Sequence, residues 1–244
     1  GNTLEAIAAE KAGVIKPGAS VVAGRTSAGT LAVLSAAASS AGATFTYAPI
    51  GVAVDARVSA RETTLSLRTP AEDYGDLRLA LPGRHQVDNA VTAVRTLETA
   101  RALGLAPVDT TAIRLALSDV RWPGRLDWRR WQGHDVLVDG AHNPDGARAL
   151  ADFLRETIAV PVPIVFGMMR DKAITEVLEE SARAAADADD RPQANAGAKA
   201  SASRQRRNDD TRTRAITRPT IGCRGRATVG KTVGRKRRET TLLS

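Results

Sequence analysis

The chain has 244 residues, a formal net charge of +8 and one cysteine, Cys223. A single cysteine excludes a disulfide framework and leaves no room for a cysteine-based zinc site, and no apolar run approaches the roughly 20 residues needed to span a bilayer. The N-terminus, Gly1-Asn-Thr-Leu-Glu5, lacks the basic n-region and apolar h-region of a secretory signal, so a soluble, cytoplasmic protein with no membrane association is the expectation.

Asn2-Thr-Leu-Glu5 reads as a helix start, with Asn2 as N-cap and Glu5 three residues on, close to a capping box. Leu4, Ile7 and Ala8 form an apolar stripe at helical spacing, and Gly13 is a natural C′ residue. Lys11 lies four residues after Ile7, on or beside the buried face; a snorkelling side chain would account for it as well as a functional one. The chain starts without Met, directly at this helix, and we expect upstream sequence to be missing. Lys16-Pro-Gly18 turns the chain into a short strand, Ser20 to Ala23. A helix from Gly29 to Ala41, ended by Gly42, and a strand from Ala43 to Ala48 complete a parallel βαβ unit. Val52 to Val58 and Thr63 to Leu67 alternate like an antiparallel pair, with Leu77 to Leu81 as a third strand.

Pro82-Gly-Arg-His-Gln-Val-Asp-Asn-Ala90 opens a helix that runs to about Leu103 and stops at Gly104. Asn89 falls in its first turns, where backbone N–H groups and the helix dipole favour anions such as phosphate. Capping and local packing explain His85, Gln86 and Asn89 equally well. Val108 to Ser118 makes one more helix. Val120-Arg-Trp-Pro-Gly-Arg125 then breaks the pattern and reads as a domain junction. Arg125, following Gly124, suits a guanidinium reaching a phosphate. Trp122, Trp128 and Trp131 read as hydrophobic cover for the junction, without the basic-aromatic interleaving that single-stranded nucleic acid needs.

The chain is organised around Val136-Leu-Val-Asp-Gly-Ala-His-Asn-Pro-Asp-Gly146, which reads as strand, loop and the start of a helix extending from Ala147 to about Ile158. α/β proteins place ligands at the carboxyl end of such a strand. Asp139 sits at the strand exit, Gly140 and Gly146 permit close backbone approach, and His142 and Asn143 offer a switchable donor/acceptor and an amide. The plainer alternative has Asp139 and Asn143 satisfying turn amides and capping the next helix. Val162 to Phe166 reads as a second buried strand, Gly167 to Lys172 as its loop and Ala173 to Leu178 as a helix start.

From Ser181 the composition changes. Residues 1–180 carry 19 Lys+Arg against 21 Asp+Glu, whereas residues 181–244 carry 16 against 6, so the basic balance belongs to the tail. With six large aliphatics and no aromatic, this segment cannot bury enough surface to offset its backbone entropy, and disorder is expected. Arg235-Lys-Arg-Arg238 would attract polyanions non-specifically; a basic-tailed nucleic-acid-binding protein is the rival functional reading. Gly225-Arg-Ala-Thr-Val-Gly-Lys-Thr232 matches a phosphate-loop pattern but lacks the strand before it and the helix after it. A reading-frame error at one point would produce such a break.

Four stretches together resemble folylpolyglutamate synthase/dihydrofolate synthase, a branch of the Mur ligase superfamily: Gly1 to Gly13, His85-Gln-Val-Asp-Asn-Ala90, Trp122-Pro-Gly-Arg125 and Asp139-Gly-Ala-His-Asn-Pro144. Phe166 to Lys172 adds a weaker match. The resemblance implies an α/β chain in which residues 1–120 are the end of a central ATPase domain, 121–180 the start of a Rossmann-like C-terminal domain and 181–244 a disordered basic tail. It also implies a monomeric ligase that uses ATP and Mg²⁺ to phosphorylate a folate or dihydropteroate carboxylate, which the amine of L-glutamate then attacks. Lys11 matches a lysine that the family carbamylates to hold a metal. Asn89, Arg125 and Asp139 match nucleotide-contacting positions, and His142 lies where the family places a histidine near the incoming glutamate. The family's phosphate loop and its metal-binding glutamate and histidine have no counterpart here, so a chain of this extent is expected to lack ligase activity.

Overall fold

The structure, a computed structural model, describes residues 3–158, 160, 162–167 and 179. All of them fall in the first of two units, Gly1–Ala194. Helix α1 (Leu4–Ala12) is capped by Thr3, whose hydroxyl accepts from the Ala6 amide at 3.1 Å. The N-cap therefore lies one residue beyond the expected Asn2, which is outside the described residues. Gly13 ends the helix at φ −59°, in the right-handed region and not in the left-handed C′ conformation expected. The buried face of α1 is also not the anticipated one. Ala8 and Ala12 are buried while Leu4 and Ile7 are exposed, because α1 lies close on helix α2 (Ala28–Ser40). A Cβ on Gly29 would stand 2.5 Å from a Glu5 carboxylate oxygen, the free end of an exposed side chain that can move aside.

Strand β1 (Ser20–Ala23), α2 and strand β2 (Thr44–Tyr47) form the expected parallel unit, with Ser20 paired to Thr44 and Ala23 to Tyr47. Strands β3 (Ala53–Val58), β4 (Thr63–Arg68) and β5 (Asp73–Leu79) form an antiparallel sheet in that order. The third strand starts four residues before the expected Leu77, since Tyr74 already points inward. Strict alternation in β4 buries Thr63, Leu65 and Leu67 and exposes Thr64, Ser66 and Arg68, as one solvated face requires.

Helix α3 (Arg84–Ala102) covers the buried face of that sheet. Val87, Ala90, Val91 and Val94 recur at helical spacing and pack with Leu65, Leu67, Tyr74, Leu77 and Leu79. Helix α4 (Thr110–Asp119), capped by Asp109, adds Ile113 and Leu117 to the same core. Within it Glu98 accepts hydrogen bonds from Thr69 at 2.5 Å, Tyr74 at 3.0 Å and Arg95 at 2.6 Å. Next to this carboxylate, burial pushes the Tyr74 hydroxyl beyond the normal phenol range.

The remainder departs most from expectation. Strand β6 (Asp127–Trp131), not anticipated, pairs antiparallel with strand β7 (His134–Val138) around the Gln132-Gly133 turn. The Val136–Val138 strand is thus one arm of a hairpin, and among the described residues it has no parallel neighbour. Helix α5 (Pro144–Thr157) follows, with Asn143 as N-cap and Pro144 in the first turn, where its missing N–H costs nothing. Its Ala151, Phe153 and Leu154 bury against Leu126, with Val58 and Leu137 beside them. The expected strand at 162–166 has no regular secondary structure. The anticipated helix at 173–178 and the basic tail, including the phosphate-loop-like stretch, lie outside the described residues. No helix among the described residues is long and apolar enough to cross a membrane.

The tryptophans do not form the expected apolar cover. Trp122 and Trp131 are exposed. Only Trp128 packs inward, its indole N–H donating to the Ala60 carbonyl at 2.5 Å and its ring lying 5.0 Å beneath the Arg61 guanidinium.

Candidate active site

The site lies where three segments meet: the start of α3, the junction turn 122–127 and the loop 139–143 after β7. The loop is tied to the junction by backbone and carboxylate together. One oxygen of Asp139 accepts from the Leu126 amide at 2.9 Å, the other from the Ala141 amide at 2.9 Å. The Gly140 amide donates to the Gly124 carbonyl at 2.8 Å. In the turn, the Gly124 amide reaches the Asp127 carboxylate at 3.1 Å and the Arg125 amide reaches the Trp122 carbonyl at 3.2 Å. The Gly124 amide and the Arg129 guanidinium hold the Asp127 carboxyl below its ordinary value.

This bracing holds an unusual conformation. Gly124 has φ +74°, and Leu126 has φ +46° with its side chain buried. A left-handed leucine costs about 1–2 kcal/mol. The Asp139 bond and the packing of Leu126 on Phe153 and Leu154 offset that cost. What the turn presents is Arg125, exposed and with its guanidinium in no ion pair or hydrogen bond among the described residues.

Helix α3 begins beside it. Gly83 at φ +102° leads into the helix without a side-chain cap. A Cβ at that position would meet the His85 ring at 2.8 Å and Leu126 at 2.9 Å, so the close seating of the junction on the helix start requires glycine. An uncapped N-terminus leaves N–H groups able to receive an anion. His85, Gln86 and Asn89 form a chain: the Asn89 amide donates to Gln86 Oε1 at 3.1 Å, and Gln86 Nε2 lies 3.1 Å from His85 Nε2. This arrangement fits a ring whose Nε2 carries no proton. Burial lowers the His85 pKa below its ordinary value; Asp139 and Asp88 act against that shift and Arg125 acts with it.

The structure thus brings Arg125 and Asp139 together and links Asn89 to them through Gln86 and His85. His142 lies in the same loop, exposed, with Nδ1 2.9 Å from the Gly140 carbonyl, which leaves Nε2 for another partner. Asn143 caps α5 by accepting from the Gly146 amide at 2.8 Å. Asp139 and Asn143 therefore do what the plainer reading assigned them, although a carboxylate with two bonds still has lone pairs free for a ligand. Lys11 stands apart. It is exposed on α1, not beside a buried face, and among the described residues no hydrogen bond or ion pair joins it to the other candidates. His85 and Gln86 are the residues that the sequence reading undervalued. The signal for them was the Pro-Gly step immediately before a helix start.

A guanidinium with no protein anion, an uncapped helix start and an amide on the next turn make a receptor for phosphate groups. A metal fits less well: no group of three or more His, Cys, Asp or Glu able to hold one occurs among the described residues. One carbamylated lysine would supply a single ligand group, so the residues described here do not by themselves constitute a magnesium site.

Comparison with known proteins gives consistent matches. Residues 124–218 match the Mur ligase, glutamate ligase domain family, a match that continues beyond residue 180. A dihydrofolate synthase/folylpolyglutamate synthase of Bacillus subtilis (strain 168) is 32% identical over 186 residues, which are 73% of this chain and 42% of that protein. The folylpolyglutamate synthase of Lacticaseibacillus casei is 29% identical over 173 residues, 70% of this chain and 40% of that one. Among solved structures, Mycobacterium tuberculosis folylpolyglutamate synthase complexed with ADP aligns with a TM-score of 0.64 at 32% identity, covering 74% of this chain and 41% of its own. An FPGS–AMPPCP–folate complex aligns with a TM-score of 0.70 at 28% identity, covering 75% and 45%. The chain spans less than half the length of the relatives it matches.

Proposed function

We propose that the matched segment is part of a folylpolyglutamate/dihydrofolate synthase-type Mur ligase, which its similarity to those proteins supports, and that this polypeptide supplies part of an ATP-dependent ligase site. The reaction is addition of L-glutamate to a folate or pteroate carboxylate through an acyl phosphate. The observation that carries the reading is Arg125: a guanidinium without a protein partner, on a strained turn braced by Asp139, beside the uncapped start of α3. Relatives of the chain are complexed with ADP and with AMPPCP and folate, which supports a nucleotide as the anion received.

In this reading Arg125 binds a phosphate of ATP through its forked donors. Asn89, anchored by Gln86, offers its carbonyl oxygen to the nucleotide, and Asp139 orients the turn while keeping lone pairs for a ligand hydroxyl or amine. His142, exposed beside them, contacts the incoming glutamate. Lys11 belongs to the metal side of the site, as a ligand through carbamylation, and needs further ligands that the described residues do not provide. The domain limits that go with this reading are 1–120 for the central domain, 121–180 for the start of the C-terminal domain and 181–244 for the tail. We further infer that the 244 residues alone do not turn over, because a triphosphate demands charge neutralisation beyond the one arginine and the helix start that the described residues bring together.

The test is equilibrium binding of AMPPCP to the full 244-residue chain, wild type and Arg125→Gln. Binding weakened about tenfold or more by the substitution supports the reading; identical affinity of the two proteins overturns it. No observation among the described residues favours nucleic acid over this reading, and the basic tail on which that rival rests lies outside them.

A further inference from the structure

The antiparallel sheet ends in an open edge. Strand β3 pairs with β4 on one side, and among the described residues no strand pairs with its other side. The phase of the hairpin tells which groups face that edge. Ser59 donates to the Glu62 carbonyl at 2.9 Å, so alternation aims the N–H and C=O groups of Arg57 and Asp55 at β4 and those of Val58, Ala56 and Val54 outward. Asp55 and Arg57 are exposed on the solvent face of the sheet and enter no ion pair among the described residues. Val54, on the opposite face, is 40% exposed although its partner in β4 is the buried Leu67. No proline or bulge interrupts β3, so its outward groups form a template for a further strand.

We propose that this edge is the interface of a two-fold dimer, in which β3 pairs antiparallel with β3 of a second copy of the chain. The occupant follows from charge: Ala53-Val-Asp-Ala-Arg-Val58 is self-complementary about Ala56. A two-fold axis at Ala56 sets Asp55 of each copy opposite Arg57 of the other. The same register sets Val54 opposite Val58 and Ala56 opposite its own copy. These are the residues whose backbone groups point outward, so each such pair can exchange two N–H···O bonds. Asp55 and Arg57 then fall at the non-bonded sites between them, where opposing side chains come closest. The neighbouring registers of the same phase put Asp55 against Asp55 or Arg57 against Arg57, and like charges reject both. On the other face, Val54 gains an apolar neighbour in Val58, which already packs with Leu126 and its cluster. The symmetry is closed, so association stops at two copies. This inference is independent of the ligase reading and departs from the monomer that the family resemblance implies.

The experiment is sedimentation velocity of the full 244-residue chain over a concentration series. One strand per copy makes a small interface, so a dissociation constant on the order of 10–100 µM is expected, and the series runs from about 1 to about 500 µM. Asp55→Arg and Arg57→Asp each turn the opposite-charge pairs into like-charge ones and should weaken the dimer at least about tenfold. Mixing these two variants in equal amounts recreates both pairs, and the mixture should associate as the wild type does; so should the double variant Asp55→Arg/Arg57→Asp. Ala56→Pro removes an N–H that faces solvent in the monomer, so it should abolish association while the circular dichroism stays that of the wild type. Three results overturn the proposal: a wild type that is monomeric throughout, association that neither single charge variant weakens, which would place it on another surface, or weakened single variants that recover neither on mixing nor in the double variant.

Discussion

Replacing Asp139 by alanine tests whether the junction turn is held by the loop after β7. The substitution removes both acceptors at once and leaves the Leu126 and Ala141 amides without their 2.9 Å partners. Both bonds are charge-assisted and partly buried. An unsatisfied amide costs about 1–3 kcal/mol when water cannot reach it, and the lower half of that range applies here. The two together should cost about 2–4 kcal/mol, a large share of the roughly 5–15 kcal/mol that keeps a domain folded. Leu126 adds to the effect, since its φ of +46° is held partly by the bond that is lost. Asp139→Asn keeps one accepting oxygen and turns a donor toward the other amide, so its cost is of similar sign. Urea denaturation and hydrogen exchange at Leu126 and Ala141 measure the loss, and AMPPCP affinity is followed in the same proteins. Bracing predicts that stability, amide protection and nucleotide affinity fall together in both variants. If Asp139→Ala lies within about 0.5 kcal/mol of wild type, the range of ordinary surface changes, the bracing is wrong. Loss of affinity in Asp139→Asn with full protection at Leu126 would assign the carboxylate to the ligand alone.

Gly124→Ala should cost about 1–2 kcal/mol from backbone conformation alone, because φ is +74° and a Cβ there would meet nothing within 4 Å; thermal denaturation measures it, and no loss would show that the turn adopts another conformation. His85 should titrate below the ordinary histidine value by NMR. Because the unfolded ring takes up its proton at higher pH than the folded one, the contribution of His85 is complete above the unfolded pKa of about 6.5 and is lost as pH falls through the folded value. Stability measured from pH 7.5 downward should decline over that window, and His85→Gln should abolish that part of the decline. Lys11 should be unmodified in the purified chain, since the described residues hold no metal cluster that would stabilise a carbamate; a mass increase of one CO₂ at that residue would contradict this.

Where the core depends on periodicity, the elements could be read from the sequence. Strict alternation in β4 and the apolar recurrence of Val87, Ala90, Val91 and Val94 are local patterns with one buried face each, and both formed as the pattern requires. The misreadings have a common cause. On α1 the buried side chains are alanines, so the largest apolar residues mark the exposed face and Lys11 lies with them in solvent. On β6 the sequence Asp127-Trp-Arg-Arg-Trp131 has no apolar alternation, because the hairpin exposes most of its surface, and its pairing to β7 is set by the Gln132-Gly133 turn. In both cases a partner surface, not the segment itself, decides what is buried.

The site was legible to the extent that chemistry sits on short motifs. Asp139, Arg125 and Asn89 each stand on a short motif, and the junction gathers them, but how they are held depends on contacts across separations that no motif encodes. The bond from Leu126 to Asp139 joins residues 13 apart, and the seating of His85 over Gly83 against Leu126 depends on how the junction folds back on α3. Hence the sharper and the plainer reading of Asp139 are not rivals. Its oxygens satisfy turn amides, and by doing so they hold a left-handed Leu126 beside the exposed Arg125, so the residue that looks purely structural sets the geometry of the one we propose to meet the anion.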